Sequence, residues 1–489
     1  MMRLRPRDGR RLAVSLFLLL LCCLPGTAQR GRSSITYSDY VRQFGDTIIE
    51  HGRDMHGPAE TPLWAGVINA QDLTVPRDGV PAPPGVREGD RAVGGCNLYH
   101  DVVTLRVFRV LSAVLHEPRY AGAARDYMSF YLANVRSPET GFLAWGEHLY
   151  YDLYRDEVAA ERKWHELLEW TPPWPELWEV NPGAVTAAIE ALRFHYHADD
   201  PASLFNRHAF FARPEFQPPG GQPWIKHSGL FAYSFMFLYN QTQDKKWLAW
   251  SRAAADLYWN HRNPDTNLTL SCIGDPREQA KAASTGQAML AYWLLKTYQL
   301  NPRETQIWKQ AVTLFKAYDA RAYNQDLDAY HGFIHVDGLP LDGEMVQPWH
   351  FAYGAPSILP LGRMAAYFAR TEKDPQFLEI AKRVARLAKS APLPDQVSIQ
   401  GIGAALNLSL DLYDLTESAQ YLADAKHYAD IAIQRFWVAN PSGGLFVRLP
   451  GDSFYEAKVG TGDLLAGLMR LHIHTNRYAR DPNLYDWTF

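Results

Sequence analysis

The chain has 489 residues, is 47% hydrophobic and 21% charged, and carries a formal net charge of −4. This is a globular composition, long enough for one very large core or several domains. The lack of a basic excess argues against nucleic acid as a partner, although a polyanion can still bind where Arg, Lys or a metal supplies local positive charge.

Residues 1–28 are expected to be a signal peptide. MMRLRPRDGRR is a basic n-region, LAVSLFLLLLCCLPG an apolar h-region, and Gly26 and Ala28 occupy the small positions before Gln29. The apolar run is short for a membrane span. Its removal takes away five arginines and one aspartate, so the net charge moves from −4 to −8. Two cysteines remain, Cys96 and Cys272. They suffice for one disulfide after export but not for a zinc site built on cysteine.

Residues 29–95 are expected to hold one helix, Tyr37 to His51, and then a Pro/Gly-rich loop over 71–95. From 96 to 489 the pattern is helical and repeats, consistent with a single domain. Leu238–Trp259, Tyr367–Lys389 and Leu412–Trp437 share one grammar, with weaker copies at Leu300–Tyr323 and Val114–Val135. A helix ends in an aromatic residue, a short polar turn follows, and a second helix places Ala at helical spacing. Helix pairs repeating at tens of residues mean a solenoid or a closed toroid. Long aromatic-rich insertions such as Ala322–Gly354 favour the toroid. The expected fold is all-α, an (α/α) barrel of six or seven helix pairs and twelve to fourteen helices. Minor β-hairpins are expected near Gly332–Gly338 and Gly444–Gly451, where apolar and polar residues alternate.

The segment from Ala144 to His208 concentrates chemistry. It contains His148, His165, His197 and His208, many carboxylates, and Trp164, Trp170, Trp174 and Trp178 around Pro172-Pro173. Tryptophans either fill a wide core or stack on sugar rings. In WHELLEW, a helical conformation places His165 and Glu169 on one face, with Glu166 turned away. HExxE lacks the second His that makes a zinc motif specific. Ligation by two His and one Glu suits Mn, Ni, Co, Zn or Mg better than Ca, which prefers oxygen ligands. The candidates for substrate contact are Trp145, His165, Trp174, Lys226, His227, Trp349 and His350.

The order GEH…HELLEW…PELWEVNP…NRH resembles the core of pectate lyases of polysaccharide lyase family 2. The resemblance implies an α/α barrel of seven helix pairs, with His148, Glu166 and His208 as ligands of a divalent metal and Arg207 as the proton-abstracting base. It also implies an acidic polysaccharide or oligosaccharide substrate, cleaved by β-elimination. The Trp-rich turn and the long N-terminal loop depart from that pattern. Because a guanidinium is normally always charged, clamping a substrate carboxylate is the simpler role for Arg207. The protein is expected to be a secreted or periplasmic monomer with no membrane span after signal removal. Three alternatives remain: a sugar epimerase, a carbohydrate-binding protein, and a glycoside hydrolase with an Asp/Glu pair drawn from Glu147, Asp152, Glu176, Glu179 and Asp275.

Overall fold

Helix pairs joined by left-handed turns set the architecture of this computed structural model. It describes residues 35–159, 163–220, 222–277, 281–341, 345–349 and 357–476. The expected signal peptide and His350 lie outside these residues. His116, Gln243, Lys373 and Glu417 end helices with φ of 57°, 59°, 54° and 54°, satisfying the last carbonyls before the chain reverses. Asp244 and Asp374 then cap the following helix by accepting from the N–H groups of Lys246 and Gln376, each at 2.9 Å. These are the Thr-and-acid turns of the repeat.

Fourteen α-helices occur among the described residues. They are α1 (Tyr37–Thr47), α2 (Leu98–Leu115), α3 (Arg119–Asn134), α4 (Trp174–Val180), α5 (Pro182–Ala191), α6 (Ile225–Thr242) and α7 (Lys245–Asn260). The second half holds α8 (Thr285–Leu300), α9 (Thr305–Ala322), α10 (Leu359–Glu372), α11 (Pro375–Ser390), α12 (Ile399–Thr416), α13 (Ala419–Phe436) and α14 (Thr461–Asn476). Burial separates two rings. Helix α11 buries Phe377, Ile380, Ala381, Val384, Leu387 and Ala388, a single stripe at spacings of three and four. By contrast α6 buries every residue from His227 to Leu238, and α12 every residue from Gly401 to Leu412. A helix buried all round belongs to the inside. The inner helices pack in sequence, α6 on α8, α8 on α10, α10 on α12, α12 on α14 and α14 on α2, while α1 packs against α14. The fold is an all-α (α/α) barrel.

The second pair is short. Helices α4 and α5 span 7 and 10 residues, where most of the others span 14 to 18. The Pro-Pro turn and Asn181-Pro182 explain this, because proline breaks one helix and starts the next. Strands occur at both expected places, but they differ: Trp437–Asn440 and Gly443–Phe446 form a hairpin, whereas Phe333–His335 pairs with the distant Ala282–Ser284, across two helices. Cys96 and Cys272 are both buried free thiols, so the possible disulfide is absent.

Buried ions fix the N-terminal loop and plug the barrel. Arg91 forks Glu456 at 2.8 and 2.9 Å, and Arg448 reaches the same carboxylate at 2.9 Å. Beside them Val67–Asn69 pairs antiparallel with Phe454–Glu456. Further inside, Arg363 meets Asp463 at 3.4 Å and Asp411 at 3.6 Å, and Arg470 meets Asp411 at 2.8 Å. Removing one partner of a buried ion group costs far more than replacing the whole group. Glu456→Gln is therefore expected to lower stability by about 3–5 kcal/mol in urea unfolding. Replacing Arg91, Arg448 and Glu456 together with Met should recover most of that loss.

Candidate metal and substrate site

The segment after Lys163 is not the helix anticipated for WHELLEW. Lys163 and Leu168 have φ of 53° and 64°, and Pro172-Pro173 follows, so helical hydrogen bonding cannot propagate. Instead Trp164–His165 forms a short strand paired with Ala209–Phe210, with Trp164 opposite Phe210 and His165 opposite Ala209. Alternation along this strand puts Trp164 and Glu166 on the side of His208, and His165 on the other. The pairing thus brings Glu166 and His208, distant in sequence, into one cluster.

The third arm is the loop Ala144–Leu149. Asn97, which caps α2, donates from Nδ2 to the carbonyls of Gly146 (2.6 Å) and Leu149 (3.0 Å). Trp145 Nε1 donates to Leu167 O at 3.1 Å, and Tyr131 OH donates to Ala144 O. Gly146 has φ of +88°, and a Cβ there would stand 2.3 Å from Glu166 O. Only glycine permits both the conformation and the approach.

Three imidazoles converge on one carboxylate. His148 Nε2 and His208 Nε2 lie 3.2 Å apart, and they stand 3.4 and 3.1 Å from Glu166 Oε2. His227 Nε2 is 3.2 Å from Oε1, and Arg207 Nη1 is 3.9 Å from it. A cation with N/O bonds of about 2.0–2.2 Å places neighbouring ligand atoms about 2.8–3.6 Å apart. The triangle His148, Glu166, His208 fits that spacing. Its ligand atoms all lie within 4.8 Å of one another. Glu166 Oε1 and both ring nitrogens of His227 are buried without an aligned hydrogen bond. A donor set of two imidazoles and a carboxylate suits a divalent transition metal or Mg. Glu147 is an additional acid at the edge, with Oε1 3.3 Å from His148 Nε2 and held by Arg87 Nη2 at 2.8 Å.

Burial would raise the Glu166 carboxyl, but contacts from His148, His208 and His227 hold it well below its ordinary value. It is an anion inside the protein. Burial pushes His227 down to about 4 against the pull of Glu166. The side chain of Glu166 is 0% exposed, while His208 and Arg207 are 24% and 25% exposed, so the cluster opens on the Arg207-His208 side. Trp164 lies over His208 at 5.9 Å and 29°. Arg207 holds its guanidinium 6.0 Å from the ring of Trp224.

The other sequence candidates divide. His227 joins the cluster from the inner helix α6, against the carboxylate rather than at the surface. Lys226 pairs with Glu169 at 3.5 Å. Trp174 is 1% exposed, yet it lines a cavity, and its Nε1 donates to Ser234 Oγ. Trp145 is fully buried and braces the loop, so it is packing and not a sugar platform. His165 faces away from the cluster, stacked on Phe142 at 4.0 Å. Trp349 donates to Ala391 O and packs on Tyr428, which makes it structural. His197 lies outside the cluster, on the turn where its N–H donates to Leu204 O. Of the carboxylates considered for hydrolysis, Glu176, Glu179 and Asp275 are engaged by Arg106, Arg109 and Arg277.

Sequence reasoning missed His195. Its Nδ1–H donates to Asn206 O at 2.9 Å, leaving Nε2 to accept from His165 Nδ1–H at 2.8 Å. Asn206 Oδ1 in turn accepts from His208 N–H at 3.1 Å. This buried chain ties the Glu166 strand to the Arg207-His208 strand. Nothing in RFHYH announces it, because it depends on strands meeting in three dimensions.

Two outcomes follow. Gly146→Ala should displace the His148 loop and lower stability by about 1–3 kcal/mol, the cost of a side chain in a strained backbone position, measured by thermal unfolding. Burial also depresses His195 to about 3 and His165 well below its ordinary value. The unfolded chain takes up these protons below about pH 6.5, while the folded chain refuses them until far lower pH. The unfolded state therefore binds more protons in this window, and stability must fall as pH drops from about 6.5 towards 3, by about 1.4 kcal/mol per pH unit for each proton. Urea unfolding of His195→Gln across that range should show a slope smaller by about one proton.

A sequence model of the family described as periplasmic pectate lyase matches residues 87–293. Among solved structures, cellobiose 2-epimerase from Bacillus thermoamylovorans aligns with a TM-score of 0.51 and 10% identity over 90% of this chain and 99% of that one. A D-mannose isomerase aligns at 0.47 and 10% over 90% and 97%, and an alpha-1,6-mannanase from Salegentibacter sp. at 0.45 and 9% over 90% and 100%. At such identities the likeness to the epimerase concerns the barrel alone. The matched stretch 87–293 holds His148, Glu166, Arg207, His208 and His227, and over it the chain resembles the periplasmic pectate lyases.

Proposed function

We propose that the protein is an exported, metal-dependent polysaccharide lyase that cleaves a uronate-containing, pectate-like chain by β-elimination. The observation that carries this reading is the meeting of His148, Glu166 and His208 in one cluster with Arg207 at its open edge. The pectate lyase match over the same residues supports it. The basic and apolar leader of the sequence and the periplasmic description of that family support export.

In a uronate the carboxylate acidifies the neighbouring C5–H. When bound by His148, Glu166 and His208, a divalent cation supplies Lewis acidity that neutralises this carboxylate and the charge developing on it. Arg207, at the exposed edge, faces the same substrate group. A planar guanidinium forks a carboxylate with two parallel hydrogen bonds and fixes its orientation. H5 leaves to a base, the C5–H electrons form the C4=C5 double bond, and the C4–O bond breaks with its electrons on the departing sugar. Glu166 stays anionic throughout, and His227 and Arg207 meet its second oxygen. His195 and His165 keep the two strands in register.

The test is incubation with homogalacturonan and other uronans, followed by ultraviolet absorbance of the unsaturated product. Absorbance should rise, chelator should abolish the rise, and Glu166→Gln and His208→Ala should lose metal and turnover together. New reducing ends without absorbance, insensitive to chelator, would mean a hydrolase. Arg207→Lys separates the roles of that residue. As a clamp, the variant keeps the pH profile and mainly raises KM. As the base, it loses about 10²–10⁴-fold in kcat with an altered profile.

A further inference from the structure

The barrel holds a cavity that the cluster residues do not line. Its walls are α2, α6, α8 and α14, together with the segment Trp170–Pro175. That segment fills the gap left by the short second helix pair, since α2 and α6 do not close against each other as the other inner helices do. Five aromatic rings face the cavity: Tyr99, Trp170, Trp174, Tyr233 and Trp293. Two cations and one acid complete it, Arg106, Lys296 and Asp463.

Several observations point to a ligand here. Trp293 is 3% exposed, and its indole N–H is buried with no hydrogen-bond partner, a donor waiting for an acceptor. Aromatic planes beside cations are the chemistry that recognises an anionic sugar, with ring faces on the aromatics and the carboxylate on the positive groups. The acid does not oppose this, because Asp463 is ion-paired with Arg363 at 3.4 Å and can still accept from sugar hydroxyls. Arg106 pairs with Glu176 at 2.6 Å, and Lys296, on α8, brings a second positive group to the cavity wall beside Trp293. Packing links the cavity wall to the loop that carries His148. Tyr99 packs edge-on against Trp145 at 5.2 Å, in the loop that carries His148, and Trp170 follows four residues after Glu166.

We propose that this cavity is a subsite for one uronosyl residue next to the reacting one, with Trp170 and Trp293 contacting the sugar and Lys296 receiving its carboxylate. The proposal rests on the lyase reading for the substrate class. Its test does not need turnover, because galacturonate has no glycosidic bond to cleave. The mature chain carrying Glu166→Gln is titrated with galacturonate and with galactose, followed by tryptophan fluorescence and by calorimetry. Galacturonate should bind at least tenfold more tightly than galactose. Lys296→Met should remove that preference and leave galactose binding unchanged. Trp170→Ala should weaken both sugars.

Equal affinity for the two sugars, or galacturonate binding indifferent to Lys296→Met, overturns the subsite. If unsaturated product forms from a uronan while Lys296→Met changes nothing, the subsite fails and the lyase reading stands. If no uronan yields that product yet galacturonate binding depends on Lys296, the subsite stands and the lyase reading fails.

Discussion

A carboxylate buried at 0% exposure, Glu166, is the constraint around which this protein is arranged. An ionised group inside a protein is costly unless opposite charge and hydrogen-bond donors surround it. Here His148, the neighbouring Arg207 and His208, and His227 all turn toward it, from three separate parts of the chain. Holding four such groups together demands rigid support. Asn97, Tyr131 and Trp145 pin the first arm, Gly146 lets it approach, and the strand pairing of Trp164–His165 with Ala209–Phe210 fixes the second. The fourth group comes from the inner helix α6, so the ring of helices itself sets where His227 stands.

The barrel explains why so much irregular chain is tolerated. Inner helices such as α6 and α12 are buried along most of their length, and the Arg363, Asp411 and Arg470 ion network ties α10, α12 and α14 together beneath the loops. Loops carried by such a scaffold can hold catalytic groups. The Pro/Gly-rich loop before Gly95 is tied down at one end by Arg91 on Glu456, and it delivers Arg87 to Glu147 beside the cluster. One segment therefore links chain closure to the site. The shortened second pair, a consequence of its prolines, leaves room for Trp170 and Trp174 to reach the interior.

Much of this was legible in the sequence where the signal is local. Helix periodicity and the short polar turns with their acids repeat with the pairs, so the fold class could be read directly. The grouping of His148, Glu166 and His208 was legible only by resemblance, because no spacing in WHELLEW requires it. The expected helix there is absent because Lys163 and Leu168 adopt left-handed conformations that residue type does not announce. His227 and His195 fall to the same limit. One sits on a helix facing inwards and the other in a short turn, and only tertiary packing shows what they touch. Trp145, taken as a sugar contact for its neighbourhood, is core because its indole N–H has a backbone partner.

We propose that Glu166, His148 and His208 hold one divalent cation. Anomalous X-ray diffraction from crystals soaked in Mn tests it most directly. The account predicts a single strong peak bounded by His148 Nε2, His208 Nε2 and a Glu166 carboxylate oxygen, absent in crystals of His208→Ala. A peak elsewhere in the barrel, or none under conditions where the protein is active, would contradict it.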